Sequence, residues 1–126
     1  MRVAVNTKTC AVGLVGFGTV GTGVAKILLG SAEQLRAKTG INIVLRRICD
    51  IDVTRDRGVA LPAGVLTTNL RDVLDDPAVE VVIELVGGTT VAKDIIRAAV
   101  AAGKSVVTAN KALLAEAGRE LFQAAH

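Results

Sequence analysis

The chain has no tryptophan and no tyrosine, and two phenylalanines are its whole aromatic complement. Single-stranded nucleic acid is usually gripped by aromatic platforms set along a basic stripe. Neither is present, because the fifteen lysines and arginines are scattered, with local density only around Arg46, Arg47, Arg55 and Arg57. No nucleic-acid partner is expected, and the net charge of +3 suits small anionic ligands better. Cysteine is equally scarce: Cys10 and Cys49 make neither a disulfide framework nor a metal-ligand spacing. Each falls in an expected strand, where cysteine behaves as a small buried hydrophobe. No metal site is expected. The one histidine, His126, is the last residue and a poor position for a catalyst. Long apolar runs are missing too, so no segment is read as a membrane span or a secretion signal. The expectation is a cytoplasmic protein without a membrane partner.

What the chain does have is a 51% hydrophobic composition drawn mainly from Val, Leu, Ile and Ala. Sheets covered by helices on both faces are built from such residues. Apolar runs alternate with helical patterns, which predicts βαβ units. Strands are expected over residues 9–15, 41–49, 65–67, 79–86 and 105–108. Helices are expected over 19–38, 70–74, 90–102 and from 111 onward. Thr39-Gly40 stops the first helix, Asn69 caps the second, and Thr89 or Thr90 caps the third. The fold class that follows is a doubly wound, mostly parallel, three-layer α/β/α sheet, read as one domain over residues 1–126.

Glycines and breakers follow three of the expected strand ends. In open sheets of this class ligands bind at that edge, where the strand order reverses. The first such site is "VGLVGFGTVGTG", with five glycines in twelve residues. Within it Gly16, Phe17, Gly18, Thr19, Val20 and Gly21 match G-x-G-x-x-G between a strand and a helix. Gly16 permits the tight turn, Gly18 lets the main chain approach a pyrophosphate, and Gly21 lets helix pack on strand. Free N–H groups and the helix dipole then favour phosphate. Gly23, further in, is assigned to close packing. No Gly-Lys-Ser/Thr follows, which excludes a P-loop.

An acid at the end of the second strand is the next requirement, to hold the adenine ribose. Asp50 is the candidate, although it lies 29 positions beyond Gly21, more than the usual ~20. Asp52 is the alternative, and Arg47, Arg55 and Arg57 lie near enough for a 2′-phosphate. NAD and NADP both stay open. Across the crevice, Glu84 sits inside "VVIELVGG", where a buried carboxylate needs partners. Structural satisfaction by loop amides and contact with ligand are both open readings. Gly87, Gly88 and Thr89 follow it. Finally "VVTANKALLA" ends a strand at Asn110 and opens a helix with Lys111, against the preference of a helix start for anions. An ammonium there can orient cofactor or substrate, or polarise a carbonyl during hydride transfer.

The segments "VGLVGFGTVGTGV", "CDIDVTRDRGV", "VEVVIELVGG" and "GKSVVTANKALLAEAGREL" resemble, in order, the amino-terminal part of homoserine dehydrogenases. The resemblance covers nearly the whole chain, and the last segment is its most discriminating part. It implies a Rossmann-type domain binding NAD or NADP in an enzyme that interconverts homoserine and aspartate semialdehyde on the route to threonine, isoleucine and methionine. By the same resemblance, Gly16 to Gly21 hold the pyrophosphate, and Asp50 or nearby arginines, Arg47 first, hold the adenine ribose. Gly87, Gly88 and Thr89 take the nicotinamide side, while Asn110 and Lys111 line the active site, with Lys111 as the catalytic candidate. The family continues into a substrate-binding and dimerising domain, so the chain is read as a fragment. It is expected to lack the last strand of its sheet, to bind nucleotide, and to be inactive alone; a homo-oligomer is expected of the full-length protein. The alternatives are another NAD(P)-dependent dehydrogenase and a nucleotide-sensing module without chemistry.

Overall fold

The computed structural model describes residues 8–109. Its central strand is β1 (Lys8–Val15), whose last four residues are all buried. Helices α1 (Thr19–Gly30) and α2 (Ala32–Thr39) lead to β2 (Ile41–Cys49). A long polar connection then reaches the short β3 (Leu66–Thr67) and α3 (Arg71–Leu74). The chain crosses back through β4 (Val79–Glu84), α4 (Thr90–Ala101) and β5 (Ser105–Thr108). The sheet order is β3-β2-β1-β4-β5, and every pairing is parallel. This is the Rossmann-type doubly wound arrangement. The helix expected from residue 111 onward lies outside the described residues.

Two apolar layers explain why the strands read as nearly continuous hydrophobic runs. Leu14, Phe17, Ala25, Leu45, Ile48 and Val65 pack between the sheet and α1. Val15, Val73, Leu74, Val82, Ile95 and Ala99 pack on the opposite face, under α3 and α4. Leu14 and Val15 are neighbours pointing into different layers, the alternation a strand imposes. Fully burying side chains of this size stabilises by about 1.5–3 kcal/mol each, so both helical layers are firmly seated. Cys49 is buried as expected, and burial, reinforced by the charges of Asp50 and Asp72, pushes its thiol pKa up.

Three local differences from the sequence expectation have physical causes. The first helix is two, because Ser31 leaves helical geometry at φ −117°, ψ 22°. Gly40 does stop α2, in the left-handed region at φ 73°. Thr89 is the N-cap of α4 but its hydroxyl makes no capping bond, whereas Asn69 Oδ1 does accept from Arg71 N–H at 3.0 Å. The third difference is a bulge. Val12 pairs with Leu45 and Gly13 with Arg47, so Arg46 is skipped, and on the other side of β1 Glu80 is skipped. Such an extra residue bends the strand and re-aims its side chains. Arg46 and Arg47 both turn to Asp76, with Nε–Oδ2 distances of 2.6 and 3.5 Å. Burial works to raise the Asp76 carboxyl, but the Arg46 and Arg47 hydrogen bonds and the Ala78 N–H hold it below its ordinary range.

Candidate functional site

Main-chain hydrogen bonds draw the strand ends together. Gly16 N–H donates to Cys49 O at 2.9 Å, and Leu85 N–H donates to Val15 O at 2.8 Å. The ends of β2, β1 and β4 are therefore stitched side by side, and β5 lies next to β4 with Glu84 opposite Thr108. The order reverses at β1, with β2 on one side and β4 on the other. A crevice along this edge is what the topology dictates.

The three glycines of the loop are glycine for different reasons. Gly16 has φ +104°, and a Cβ there would sit 2.9 Å from the Leu85 carbonyl carbon. A Cβ on Gly21 would sit 2.1 Å from Gly16 O. Both are required by the protein's own packing. Gly18 is otherwise: its φ of −81° suits any residue, and a Cβ there would meet nothing within 4 Å. Nothing inside the described chain explains that missing side chain. Gly18 is also the N-cap of α1, which has no side-chain cap and no acidic residue in its first turn. The four orphan N–H groups that open a helix are thus left without the usual internal anion. Gly23 differs from expectation: a Cβ there meets nothing within 4 Å, so close packing is not its reason.

Phe17 divides its functions. Its ring is core, 2% exposed, while its N–H donates to Asp50 Oδ2 at 2.6 Å. Asp50 Oδ1 accepts from Asp52 N–H at 3.1 Å. An ionised carboxylate has about four acceptor sites, so Asp50 retains capacity for a further donor at the crevice. Asp52 is turned to its own loop, and the Thr54 N–H and hydroxyl, with Arg55 N–H and the Arg57 charge, hold it below the usual carboxylate range. A cleft of about 410 Å³ opens beside the loop, lined by Gly18, Thr19, Thr22, Lys26, Arg55 and Arg57 among others. Neither Lys26 nor Arg55 forms an ion pair among the described residues. Val20 projects outward at the first turn and is largely exposed.

Arg47, expected at a 2′-phosphate, has its partners elsewhere. The bulge aims it at Asp76, and its Nη1 donates to Gly64 O at 2.5 Å, away from the glycine loop. Lys26 joins the site through the helix, since residues 19, 22, 23 and 26 share one helical face. At the other end, Glu84 is 0% exposed. It accepts from Val86 N–H at 2.8 Å and from the Thr108 hydroxyl at 2.6 Å. Gly87 and Gly88 are exposed above it, with open space where their Cβ atoms would be. Asn110 and Lys111 lie outside the described residues.

The family model for the NAD-binding domain of homoserine dehydrogenase matches residues 16–126. The chain belongs to that family. The homoserine dehydrogenase of Bacillus subtilis is 44% identical over 91% of this chain. A crystal structure of the Thiobacillus denitrificans homoserine dehydrogenase superposes with a TM-score of 0.82 at 44% identity over 94% of the chain. That of S. aureus gives 0.84 at 32% identity, also over 94%. These matches span 27%, 27% and 30% of the respective relatives, about a quarter to a third of their length. The domain is an NAD-binding one, for NAD or NADP. Among the described residues no helix is long and apolar enough to cross a membrane, and no cluster of metal-ligating side chains occurs.

Proposed function

We propose that this chain, over its whole length, is the dinucleotide-holding domain of a homoserine dehydrogenase, acting on homoserine and aspartate semialdehyde in the cytoplasm as part of a larger homo-oligomer. The observation that carries the reading is the glycine turn opening α1, whose first N–H groups meet no side-chain cap and no first-turn acid, and where Gly18 leaves open space. A nicotinamide dinucleotide fits these residues, and when bound it supplies the hydride acceptor or donor. The N–H groups at the start of α1 receive its pyrophosphate, with Gly16, Gly18 and Gly21 shaping the approach. Thr19 and Val20 belong to the same first turn. Asp50 receives the adenine-ribose hydroxyls. Arg55 and Lys26 are the cations left for a 2′-phosphate, since Arg47 is spent on Asp76. Gly87, Gly88 and Thr89 border the nicotinamide end. In the sequence Asn110 and Lys111 come after Ala109, the residue that follows β5, and the family resemblance assigns them to the active site, where the Lys111 ammonium can polarise the substrate carbonyl.

Titration calorimetry with NAD(H) and NADP(H) tests this. Binding is expected, and Gly18→Val is expected to weaken it at least 100-fold while leaving the thermal midpoint within a degree or two, since the added side chain meets only open space. Arg55→Ala is expected to cost about tenfold for NADP(H) and nothing for NAD(H). Absence of heat with every nucleotide at millimolar concentration would overturn the reading. Oxidation of homoserine by the full-length protein, against other alcohols, separates this enzyme from another dehydrogenase and from a sensor.

A further inference from the structure

The loop over residues 51–56 is largely exposed, yet the Arg57 side chain that follows is only 5% exposed. It is buried against the glycine loop, and three of the five N–H donors of its guanidinium go to main-chain oxygens. Nε donates to Phe17 O at 2.6 Å, Nη2 to Asp52 O at 2.6 Å and Nη1 to Arg55 O at 3.1 Å. The guanidinium lies 4.7 Å above the Phe17 ring centroid, and Nη2 faces Asp50 Oδ2 at 3.7 Å. Both polar groups of residue 17 are thereby held by one acid–base pair, the N–H by Asp50 and the carbonyl by Arg57.

That residue stands between Gly16 and Gly18, which side-chain sterics leave nearly free to choose their backbone angles. Something else must set the shape of G-x-G, and the buried ring with its two-sided polar grip does so. Resting on the dinucleotide reading above, we propose that Arg57 is a positioning residue. It presets the glycine loop for either nucleotide by clasping the Phe17 peptide, and it is not a ligand for phosphate. Its planar fork serves three carbonyls and an aromatic face at once, a task that the single point charge of lysine cannot reproduce.

The full 126-residue chain, its Arg57→Ala and its Arg57→Lys variants are titrated with NAD⁺ and NADP⁺. Both variants are expected to bind both nucleotides more weakly, by a similar factor of about ten. Ethylguanidinium, entering the vacated space from the adjoining cleft, is expected to restore Arg57→Ala, and ethylammonium is not. Amide exchange at residues 16–18 is expected to accelerate while that of β1 stays slow. Loss of NADP⁺ affinity alone would overturn the proposal in favour of a 2′-phosphate ligand. So would wild-type affinity in either variant, failure of guanidinium rescue, or loss of β1 protection, which would make Arg57 a folding residue. Failure of the unaltered chain to bind any nucleotide would instead strike the dinucleotide reading itself.

Discussion

The two glycine turns of the crevice are built alike in sequence and differently in space. Gly16 to Gly21 and Gly87 to Gly88 each follow a buried parallel strand and open a helix. The first is fastened by the protein itself: a Cβ on Gly16 or Gly21 would fall 2.9 or 2.1 Å from main-chain atoms, and Asp50 and Arg57 hold its middle. The second is open where its Cβ atoms would be, and its support lies underneath, in the carboxylate of Glu84. One turn is shaped by the protein before any ligand arrives. The other is anchored at its base and left clear above. The lesson is that a glycine's role is read from its backbone angle and from what its missing side chain would strike together: Gly88, with open space around it, still stands at φ +86°.

The comparison breaks most visibly at Gly21. Gly21→Val puts a Cβ 2.1 Å from Gly16 O, and a stability loss of about 3 kcal/mol or more in urea denaturation is expected. A loss under 1 kcal/mol would mean that the first turn is not fastened as described. Beneath the second turn, Thr108→Val leaves one buried oxygen of Glu84 without its hydroxyl donor, and about 1–3 kcal/mol is expected. The double variant Glu84→Gln/Thr108→Val measures their coupling, and strict additivity would show that the pair does not support the turn.

Asp76 sharpens the contrast, because the partners of its carboxylate, Arg46, Arg47 and the Ala78 N–H, belong to neither glycine turn. Its carboxyl is held below its ordinary range, so its contribution is present above the unfolded value and lost as pH falls through the folded one. The wild-type chain is expected to lose stability as pH drops below about 4. Asp76→Asn is expected to flatten that acid limb, lower stability near neutrality by about 1 kcal/mol, and leave nucleotide affinity unchanged. An unaltered acid limb would show that other carboxylates carry it.

Strands and glycine turns were legible because their signals are local. Apolar alternation, a stop at Gly40 and G-x-G-x-x-G before a helix need no knowledge of neighbours. The break at Ser31 was hidden because the periodicity runs on through it and α2 buries no residue. The turn of Arg47 to Asp76 was not legible because a bulge is invisible in one strand alone and exists only against the register of β1. Arg57 reads as one more member of a charged, solvated run. Only the fold brings the Phe17 carbonyl, forty residues away along the chain, to its guanidinium. Gly23 was assigned to packing for the same reason, since the open space above it is a property of the assembled surface.

The skipped residues Arg46 and Glu80 give the sheet slack on both sides of β1. Beyond those points the hydrogen bonds Gly16–Cys49 and Leu85–Val15 lock the upper rim. The register of the rim is thus set separately from that of the strand bases, and the spacing between the loops at the rim depends on the residues above the two bulges.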